Sequence, residues 1–467
     1  MSSPDTNRPR AEIAPLTPLR YSLERLTSDG GLASVVAPPY DVIDATQRAE
    51  LASRHPNNVV KLILPDGEGD AKYGKAADLL MAWRSEGSLV RDDVPAFYRY
   101  DQTFTPPGAP PGSKPITRRG FLGLVKLVDL DKGVVLPHER TLSGPKEDRL
   151  KLFRSTRTNL SPGFMLYRDP GKTLDAALEK ATDLASFDTA DGIRHSVAKI
   201  SDPGAIRTIV EGVAKSSLLI ADGHHRYETA LRYSKEAHEN ASSGKGNAPV
   251  ANGEHLYFMV FFANGDDPDL VVFPTHRHIH SLAKFDFEDL AKGASALFDI
   301  KPLPGGASAD VLTAELAKAG KERPSLVACS GDGRATLFTL KKDADLAGHA
   351  ILGKRPEPLR RTDVALLHMG LLEPVLGITP EAQAAKTNIY YPQDAAASLR
   401  DLRSGKGQVL FLMNATPVAQ VREVAEAGEV MPQKSTFFYP KVLTGLCFHT
   451  LEPERSVGAV ATPTLAT

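Results

Sequence analysis

One short polar run, placed between an apolar segment and a helical pattern, carries the residue types best suited to chemistry. Residues 218–220 are apolar throughout, which predicts a strand buried on both faces, and the apolar spacing after the run predicts a helix. The first turn of a helix offers unpaired backbone N–H groups and a positive dipole end, where phosphates bind. We therefore predict that this run holds phosphate and moves a proton. Its members are Asp222, Gly223, His224, His225 and Arg226.

The residue types at the turn allow two interpretations. Gly223 lets the backbone approach a ligand closely, and Asp222 can hold a metal ion through oxygen. The alternative is that Asp222 only caps the helix, while the neighbouring imidazoles and guanidinium are solvated and inert. We favour the functional interpretation, because adjacent imidazoles directly after a buried strand are a costly choice for mere solvation.

A second polar cluster occupies residues 137–149. Glu139 beside His138 has the chemistry of a general base or a metal ligand, and we assign Glu139 to catalysis and His138 to substrate binding. Arg140 is likewise predicted to bind substrate. The alternative is a solvated loop that runs into a charged helix. The cationic side chains of the cluster, which can hold phosphate, are Arg140, Lys146 and Arg149.

Two further stretches present polar side chains beside rigid backbone. A double proline before Tyr40 forces an extended turn, so we predict that Tyr40 binds substrate and that Asp41 is catalytic. Near the C-terminal end, Lys434 and Ser435 are predicted to grip phosphate. The alternatives are a stiff corner for the first stretch and an ordinary edge strand with solvated lysines for the second.

Three histidines alternate at positions 276, 278 and 280, which places them on one face of an extended strand. Three imidazoles on one face suggest zinc. Neighbouring same-face side chains on a single strand diverge, however, and a tight site recruits a more distant ligand. We therefore favour a contribution of His276 and Arg277 to an anion site.

Strand and helix patterns alternate along most of the chain, which predicts a mixed α/β (α+β) fold. Residues 255–263 predict a long buried strand, residues 58–64 another strand, and residues 173–185 a helix. The expected regions are an N-terminal α/β region at 13–190, a central region with the polar run at 191–284, a small α/β insertion at 285–360 and a C-terminal α/β region completing the site at 361–453.

The composition is typical of a soluble globular protein with two or three domains. A chain of 467 residues is too long for one ordinary hydrophobic core. Its net charge of -1 does not favour nucleic acid or a membrane surface as partner. No apolar run is long enough to cross a bilayer, and the N-terminus lacks the apolar core of a signal peptide. With only two cysteines, a cytoplasmic location is the simpler interpretation. A homodimer stays open.

Four stretches together resemble one family. The combination is similar to the bacterial family called domain of unknown function ten-fifteen, along nearly the whole chain. The stretches are APPYDVI at 37–43, HERTL with the following PKEDR at 138–149, ADGHHRYETA at 221–230 and MPQKSTFFYPK at 431–441.

The segment DGHHR is also similar to the phosphate-binding motif of the ParB/sulfiredoxin superfamily, which includes partition proteins, sulfiredoxins and free-serine kinases. This resemblance implies a ParB/sulfiredoxin-like nucleotide-binding core with an additional α/β insertion. It implies that Gly223, His224, His225 and Arg226 contact nucleotide phosphates. The chain lacks the sulfiredoxin cysteine in this loop and a basic DNA-binding segment of the partition type. Small-molecule phosphoryl transfer is the remaining activity within this superfamily.

The resulting hypothesis is a nucleotide-dependent kinase that acts on a small hydroxyl compound such as serine. ATP or ADP and Mg²⁺ are the expected cofactors, with the metal on Asp222 or Glu139. His225 and Arg226 neutralise the transferring group, with added charge from Arg277 and Lys434. Glu139 or Asp41 takes the proton of the acceptor hydroxyl.

Two alternatives stay open. The first is a non-catalytic regulatory protein that senses nucleotide in the same pocket. The second is a metal-dependent hydrolase centred on His138, Glu139 and the histidines of 276–280.

Overall fold

A computed structural model describes residues 10–26, 30–110, 112–139, 143–245 and 247–458 of the chain. The chain divides into two compact units. Unit 1 comprises Met1–Leu136, Thr141–Val271 and Pro440–Thr467, and unit 2 comprises Pro137–Arg140 and Val272–Tyr439.

The strands, in chain order, are β1 (Ile13–Ala14), β2 (Leu19–Tyr21), β3 (Leu89–Arg91), β4 (Phe97–Phe104), β5 (Ile116–Lys126), β6 (Val135–Leu136), β7 (Thr158–Asn159), β8 (Gly163–Tyr167), β9 (Thr182–Asp188), β10 (Arg194–Ile200), β11 (Leu218–Asp222), β12 (Tyr257–Asn264), β13 (Val271–Phe273), β14 (Arg277–Ile279), β15 (Phe298–Leu303), β16 (Ser325–Ser330), β17 (Ala335–Leu340), β18 (Ile389–Tyr390), β19 (Val409–Met413), β20 (Phe437–Tyr439) and β21 (His449–Thr450).

The α-helices are α1 (Leu23–Leu26), α2 (Leu32–Val35), α3 (Ala45–Arg54), α4 (Val60–Ile63), α5 (Ala71–Ser85), α6 (Ser143–Thr156), α7 (Asp175–Leu178), α8 (Pro203–Val213), α9 (His224–Ser242), α10 (Phe287–Ala294), α11 (Ala309–Gly320), α12 (Glu357–Arg360), α13 (Asp363–Leu367), α14 (Pro380–Ala385), α15 (Ala395–Arg403) and α16 (Val418–Glu426). Short 3-10 turns lie at Tyr40–Val42, Leu130–Lys132, Glu254–Leu256 and Leu352–Lys354, and a π-helical turn lies at His368–Leu372.

Unit 1 is built on a mixed sheet that has nine strands within the described residues. Their order is β6-β11-β8-β12-β5-β4-β10-β9, with β1 alongside β5. The central strand β12 runs parallel to β8 and antiparallel to β5, and all of its residues are buried, which confirms the buried strand predicted at 255–263. Strand β11 has neighbours on both sides, parallel β6 and antiparallel β8. The point where β11 ends and α9 begins is therefore held inside the sheet.

Helix α9 is fixed on the sheet by an aromatic contact. The ring of Tyr227 packs edge-on against Phe258 of β12, with 5.9 Å between the ring centroids, and both residues are fully buried. The Tyr227 hydroxyl donates a hydrogen bond of 2.7 Å to the carbonyl oxygen of Val128. Burial of each ring contributes about 2–3 kcal/mol to the free energy of unfolding. This contact therefore holds the first turns of α9 in place.

Unit 2 has its own antiparallel sheet, with six strands among the described residues in the order β15-β17-β16-β19-β14-β18. Strands β15 to β17 come from the segment predicted as an insertion, and β16 pairs with β19. Val327, Leu337 and Leu410 form part of a core on this sheet. The segment at 285–360 therefore shares one sheet with strands before and after it.

The strand predicted at 58–64 is wrong, because the chain forms helix α4 there. The side-chain oxygen of Asn58 accepts a hydrogen bond of 3.0 Å from the backbone N–H of Val60, and its amide donates to the carbonyl oxygens of Ser34 and Val36. These bonds turn the backbone into a helix. The apolar side chains that follow are buried, so their run has no strand-like alternation to distinguish the two structures.

The helix predicted at 173–185 is also largely wrong. Only the short helix α7 forms, and β9 follows it at the edge of the unit 1 sheet. Strand β9 pairs antiparallel with β10 through a turn at 189–192, where Gly192 has a φ of 78°. The left-handed turn and the neighbouring strand override the helical preference of the local sequence.

The mixed α/β fold class is confirmed by these two units. Cys329 and Cys447 are both buried free thiols. Across the described ranges, every helix is too short or too polar to span a membrane.

We predict that acid lowers the free energy of unfolding. Burial lowers the pKa of His195, His276 and His449 to about 4, whereas an exposed imidazole titrates near 6.5. The folded state therefore binds fewer protons than the unfolded state between these values, and stability present above pH 6.5 is lost as the pH falls towards 4. Each such group should contribute up to about 3 kcal/mol to the free energy of unfolding. Urea unfolding at pH 7.5, 6 and 5 measures the loss.

The control for this prediction is His195→Gln. Because it removes one titrating group, the dependence of the unfolding free energy on pH should become shallower. An unfolding free energy that stays constant from pH 7.5 to 5 would contradict the prediction.

Candidate functional site

The structure gathers the predicted residues in two groups, one in each unit. Arg140 lies outside the described residues. The unit 1 group consists of Tyr40, Asp41, Asp222, Gly223, His224, His225 and Arg226, and the unit 2 group consists of His138, Glu139, Arg277, Lys434 and Ser435.

The turn between β11 and α9 has the predicted form, with a strand before Gly223 and a helix directly after it. Gly223 adopts the left-handed conformation, with a φ of 91° and a ψ of 29°. The alternative in which Asp222 is the cap residue is wrong, because Gly223 occupies the cap position of α9.

The carboxylate of Asp222 is shared between two cations. One oxygen lies 3.3 Å from Nη2 of Arg226, and the other lies 3.0 Å from Nζ of Lys441. Lys441 stands 219 positions along the chain from Asp222. The sequence gives no indication of this partner beyond the presence of Lys441 in the fourth stretch.

Arg226 connects the turn to the strand beside it. Its Nη1 donates to the carbonyl oxygen of Pro162, directly before β8, and the residue is 5% exposed. A Cβ atom on Gly223 would lie 3.0 Å from Cζ and Nε of this guanidinium. The glycine thus leaves room for the close approach of Arg226 and also accommodates the positive φ. The predicted phosphate contact of Arg226 stays a prediction.

Lys441 is held in place by two side chains of the sheet. Nε2 of Gln102 donates to the carbonyl oxygen of Lys441 at 3.0 Å, and Nη2 of Arg118 donates to that of Pro440 at 2.6 Å. Gln102 and Arg118 are opposite each other on β4 and β5. The backbone of 440–441 is therefore fixed against the same sheet that carries the turn.

Arg118 is a cation inside the protein, 2% exposed. Its guanidinium lies over the rings of Phe164 and Phe261, at 4.8 and 5.4 Å from their centroids, and its Nε and Nη1 have no hydrogen-bond partner among the described residues. Burial lowers the pKa of Arg118 to about 10, which leaves it charged at neutral pH. Sequence reasoning missed this residue, although an arginine pair inside the otherwise apolar strand β5 is a usable signal.

Asp148 repeats the arrangement of Asp222, since two cations share its carboxylate. Nη2 of Arg149 contacts one oxygen, and Nζ of Lys72 lies 3.2 Å from the other, which also accepts a hydrogen bond of 2.6 Å from the hydroxyl of Tyr73. Burial opposes ionisation, but Arg149, Tyr73 and Lys72 outweigh it and lower the pKa of Asp148 to about 2. We use the name cation cluster for these four cations and the two carboxylates that they share. The cations are Lys72, Arg149, Arg226 and Lys441.

A pocket lies against this cluster in unit 1. It is a small pocket that is partly open to solvent. It joins residues from three of the stretches singled out in the sequence, because Tyr40, Arg149 and Arg226 all line it. Asn159 and Ser161, which also line it, were missed by sequence reasoning. The full lining is Tyr40, Ile63, Arg149, Leu152, Phe153, Thr158, Asn159, Leu160, Ser161 and Arg226.

Two cofactor classes can be tested against these residues. The helix N-terminus with half-buried His225, and the excess of cations over carboxylates, fit an anion such as phosphate. Mg²⁺ fits less well, because both oxygens of Asp222 are already paired with cations. Within the described ranges no three His, Cys, Asp or Glu side chains form a group that could hold a metal ion.

In unit 2, Arg277 is a buried structural cation, 1% exposed. Its Nε donates to Nε2 of His368 at 3.0 Å, and Nη2 donates to the carbonyl oxygen of Lys434 at 3.2 Å. Lys434 itself has a φ of 58°, and its side chain points into solvent. Arg277 thus fixes the backbone of Lys434, and the phosphate contacts predicted for both residues stay predictions.

His138 and Glu139 lie beside the segment that contains Lys434. The ring of His138 shares a hydrogen bond of 2.9 Å with the hydroxyl of Thr436, and its carbonyl oxygen accepts one of 2.8 Å from Met431. Glu139 forms a parallel bridge with Met431. Desolvation lowers the pKa of buried Arg277 to about 10, against smaller opposite effects of Tyr391 and Glu139. The hydroxyl of Ser435 donates to the carbonyl oxygen of Pro432 at 2.5 Å.

The alternating histidines lie on and beside β14 as predicted, but each has another partner. Nδ1 of His276 accepts a hydrogen bond of 3.2 Å from the backbone of Met413. His278 shares one of 2.7 Å with the hydroxyl of Tyr390, and the ring of Tyr390 also lies against the ring of His280. These partners give the histidines structural roles without zinc.

The comparison with protein families identifies one match. The family model described as "Protein of unknown function (DUF1015)" matches residues 13–365, which confirms the resemblance drawn from the four stretches, although the fourth lies beyond the matched residues. A comparison with curated proteins gives no match.

Solved structures give distant likenesses. A conserved hypothetical protein from Pyrococcus furiosus has 13% identity and a TM-score of 0.32, over 68% of this chain and 94% of that chain. A free serine kinase mutant in complex with ADP has 11% identity and a TM-score of 0.35, over 70% and 91%. A free serine kinase in complex with AMP has 12% identity and a TM-score of 0.36, over 70% and 90%. At these values the likeness carries no argument about activity, and the ParB/sulfiredoxin-like core stays a prediction.

We predict that Gly223→Ala lowers the free energy of unfolding by about 1–3 kcal/mol more than Gly133→Ala does. Both glycines have positive φ, at 91° and 68°, but only Gly223 has an atom within reach of an added Cβ, the Arg226 guanidinium at 3.0 Å. Urea unfolding of the two variants measures the difference. Equal losses would show that the guanidinium moves away at no cost.

Proposed function

The chain belongs to the family described as "Protein of unknown function (DUF1015)", and from its site we propose that it is a nucleotide-dependent phosphotransferase acting on a small hydroxyl compound such as serine. The observation that carries the proposal is the cation cluster beside the first turn of α9, with a pocket against it. Phosphoryl transfer depends on positioning and charge neutralisation, which this arrangement supplies.

The phosphates of ATP or ADP bind at the first turn of α9. Backbone N–H groups of His224 and His225 point along the helix axis towards them, and the helix dipole adds positive potential. The imidazole of His225, half-buried on this turn, donates a hydrogen bond to a phosphate oxygen. The side chain of Lys441 is 20% exposed, and its Nζ lies 3.0 Å from a carboxylate oxygen of Asp222. Its positive charge adds to that of the helix N-terminus.

The nucleotide supplies the transferable phosphoryl group when bound. Asp41, an exposed carboxylate beside Tyr40, accepts the proton of the acceptor hydroxyl. The acceptor oxygen then forms its bond to the terminal phosphorus, and the bond from that phosphorus to the bridging oxygen of the nucleotide breaks. Glu139 of unit 2 is the second candidate base from the sequence. Asp222 is paired with two cations, so its carboxylate is not available as a ligand for Mg²⁺.

A second candidate function is nucleotide sensing without turnover. The observation in its favour is that Arg226 and Lys441 occupy both oxygens of Asp222, the carboxylate that would otherwise hold a metal ion. A sensor requires only the anion-binding part of the site. The two functions therefore agree on binding and differ on product formation.

We predict that a nucleotide raises the melting temperature of the wild type and that His225→Ala loses most of this shift. Ligand at 100 times its Kd stabilises the folded state by about 2.7 kcal/mol. The measurement is a thermal-shift series with ADP, ATP, CTP and GTP, each with and without magnesium. His238→Ala is the matched control, because His238 is an exposed histidine later on the same helix. The absence of a shift with every nucleotide would overturn both candidate functions.

We further predict that Asp41→Asn lowers phosphotransfer by about 10²–10⁴-fold while nucleotide binding persists. The assay follows phosphate from labelled nucleotide to serine and other small hydroxyl compounds. Asp131→Asn, another exposed aspartate of unit 1, should leave the rate unchanged. A comparable loss in Glu139→Gln alone would assign the base to Glu139. Binding without any product would favour the sensor.

A further inference from the structure

The pocket beside the cation cluster has two kinds of lining residue. Leu152, Phe153 and Leu160 supply apolar lining, and Tyr40, Arg149 and Arg226 supply hydrogen-bond donors. No carboxylate is present among the described residues that line it. A pocket of this kind selects a ligand with a short apolar body and an anionic end.

The Tyr40 hydroxyl has unused hydrogen-bonding capacity. Among the described residues the contact that Tyr40 makes is through its ring, which lies over the guanidinium of Arg149 with 4.2 Å between Cζ and the ring centroid. Burial raises the pKa of Tyr40, so the hydroxyl keeps its proton and acts as a donor. An unpaired donor on a pocket wall is a specific place for an acceptor atom of a ligand.

The two guanidinium groups also have donors left. Arg149 uses Nε and Nη2 on Asp148 and Nη1 on the carbonyl oxygen of Ile63, and a guanidinium carries about five N–H groups. Arg226 uses Nη1 on Pro162 and Nη2 on Asp222. Because each arginine is held by protein acceptors, the remaining N–H groups are presented in fixed directions. Fixed guanidinium donors recognise planar anions such as carboxylates.

The charges around the pocket favour an anion. Four positive side chains of the cation cluster lie around the pocket with three carboxylates, Asp148, Asp222 and the exposed Asp41, so positive charge is in excess by one. A carboxylate that enters the pocket reduces this excess without displacing any of these aspartates. The pocket is small and opens to solvent, so only a short ligand can enter it.

We propose that this pocket binds the carboxylate of a small hydroxy acid, with Tyr40, Arg149 and Arg226 as its donors, and that the acceptor of the proposed phosphotransferase is therefore an acid. That the bound acid is the phosphoryl acceptor rests on the proposed function, whereas the binding of its carboxylate does not depend on that function. The acceptor hydroxyl projects towards Asp41, which neighbours Tyr40 in the chain.

The test compares two ligands that differ in the anionic end alone. Calorimetric titration of the wild type with 3-hydroxypropionate should show binding, and 1,3-propanediol, which has the same carbon chain and an uncharged end, should bind at least about tenfold more weakly. Tyr40→Phe keeps the ring over Arg149 and removes the hydroxyl donor. It should therefore lower the affinity for 3-hydroxypropionate by about tenfold and leave the affinity for the diol unchanged.

Tyr257→Phe is the matched control. It removes a hydroxyl that bonds Glu12 at 2.7 Å, outside the pocket, and should leave the affinity for 3-hydroxypropionate unchanged. Circular dichroism and urea unfolding of both variants establish that they are folded. Equal binding of acid and diol, no binding of the acid, or equal losses in the two tyrosine variants would each overturn the proposal.

A phosphate of the nucleotide is the other source of an anion for the same donors, and competition separates the two. With ADP bound at saturation, 3-hydroxypropionate should still bind with little change in affinity. Displacement of the acid by ADP or by inorganic phosphate would assign the pocket to nucleotide phosphate and overturn the proposal. Acid binding in a protein that binds no nucleotide would instead reject the phosphotransferase and retain the carboxylate site.

Discussion

The shared carboxylate of Asp222 is the interaction on which the candidate site depends. It joins α9 through Arg226 and the C-terminal segment through Lys441, and Arg226 in turn bonds the backbone before β8. If one cationic partner is removed, the partly buried carboxylate still bears its desolvation cost. The ion pairs of Asp222 with Arg226 and with Lys441 therefore depend on each other. Gly223 belongs to the same arrangement, because the guanidinium lies 3.0 Å from the position that a Cβ atom would take.

The large sheet of unit 1 makes that interaction rigid. Gln102 and Arg118 reach from β4 and β5 to the backbone of 440–441, and the guanidinium of Arg118 itself lies over two aromatic rings. Buried cations are costly unless their surroundings compensate for lost hydration. Unit 2 contains a buried cation with a similar task, since Arg277 fixes the backbone of Lys434. Both arginines position backbone by hydrogen bonds to carbonyl oxygens.

Sequence reasoning found the elements whose signal is local. The strand, glycine turn and helix around Asp222 were predictable because apolar runs, glycine and helical spacing are read within about 20 residues. The same reasoning failed at 58–64, where an asparagine side chain redirects an apolar run, and it could not find Lys441 as the partner of Asp222. Pairing of charges over long separations is decided by the fold. The family resemblance rested on motifs and was confirmed, whereas the roles of individual residues stay predictions.

The place of Lys441 in the chain has a consequence for how the protein is made. Unit 1 is discontinuous, and 219 positions separate Asp222 from the lysine that shares its carboxylate. At typical rates of synthesis, about 5–20 residues per second, the ribosome takes about 10–40 s to travel that distance. During this interval the nascent sheet carries Arg118 without Pro440 and Asp222 without Lys441. A fragment that ends where the family match ends, at residue 365, would remain in that unfinished condition permanently.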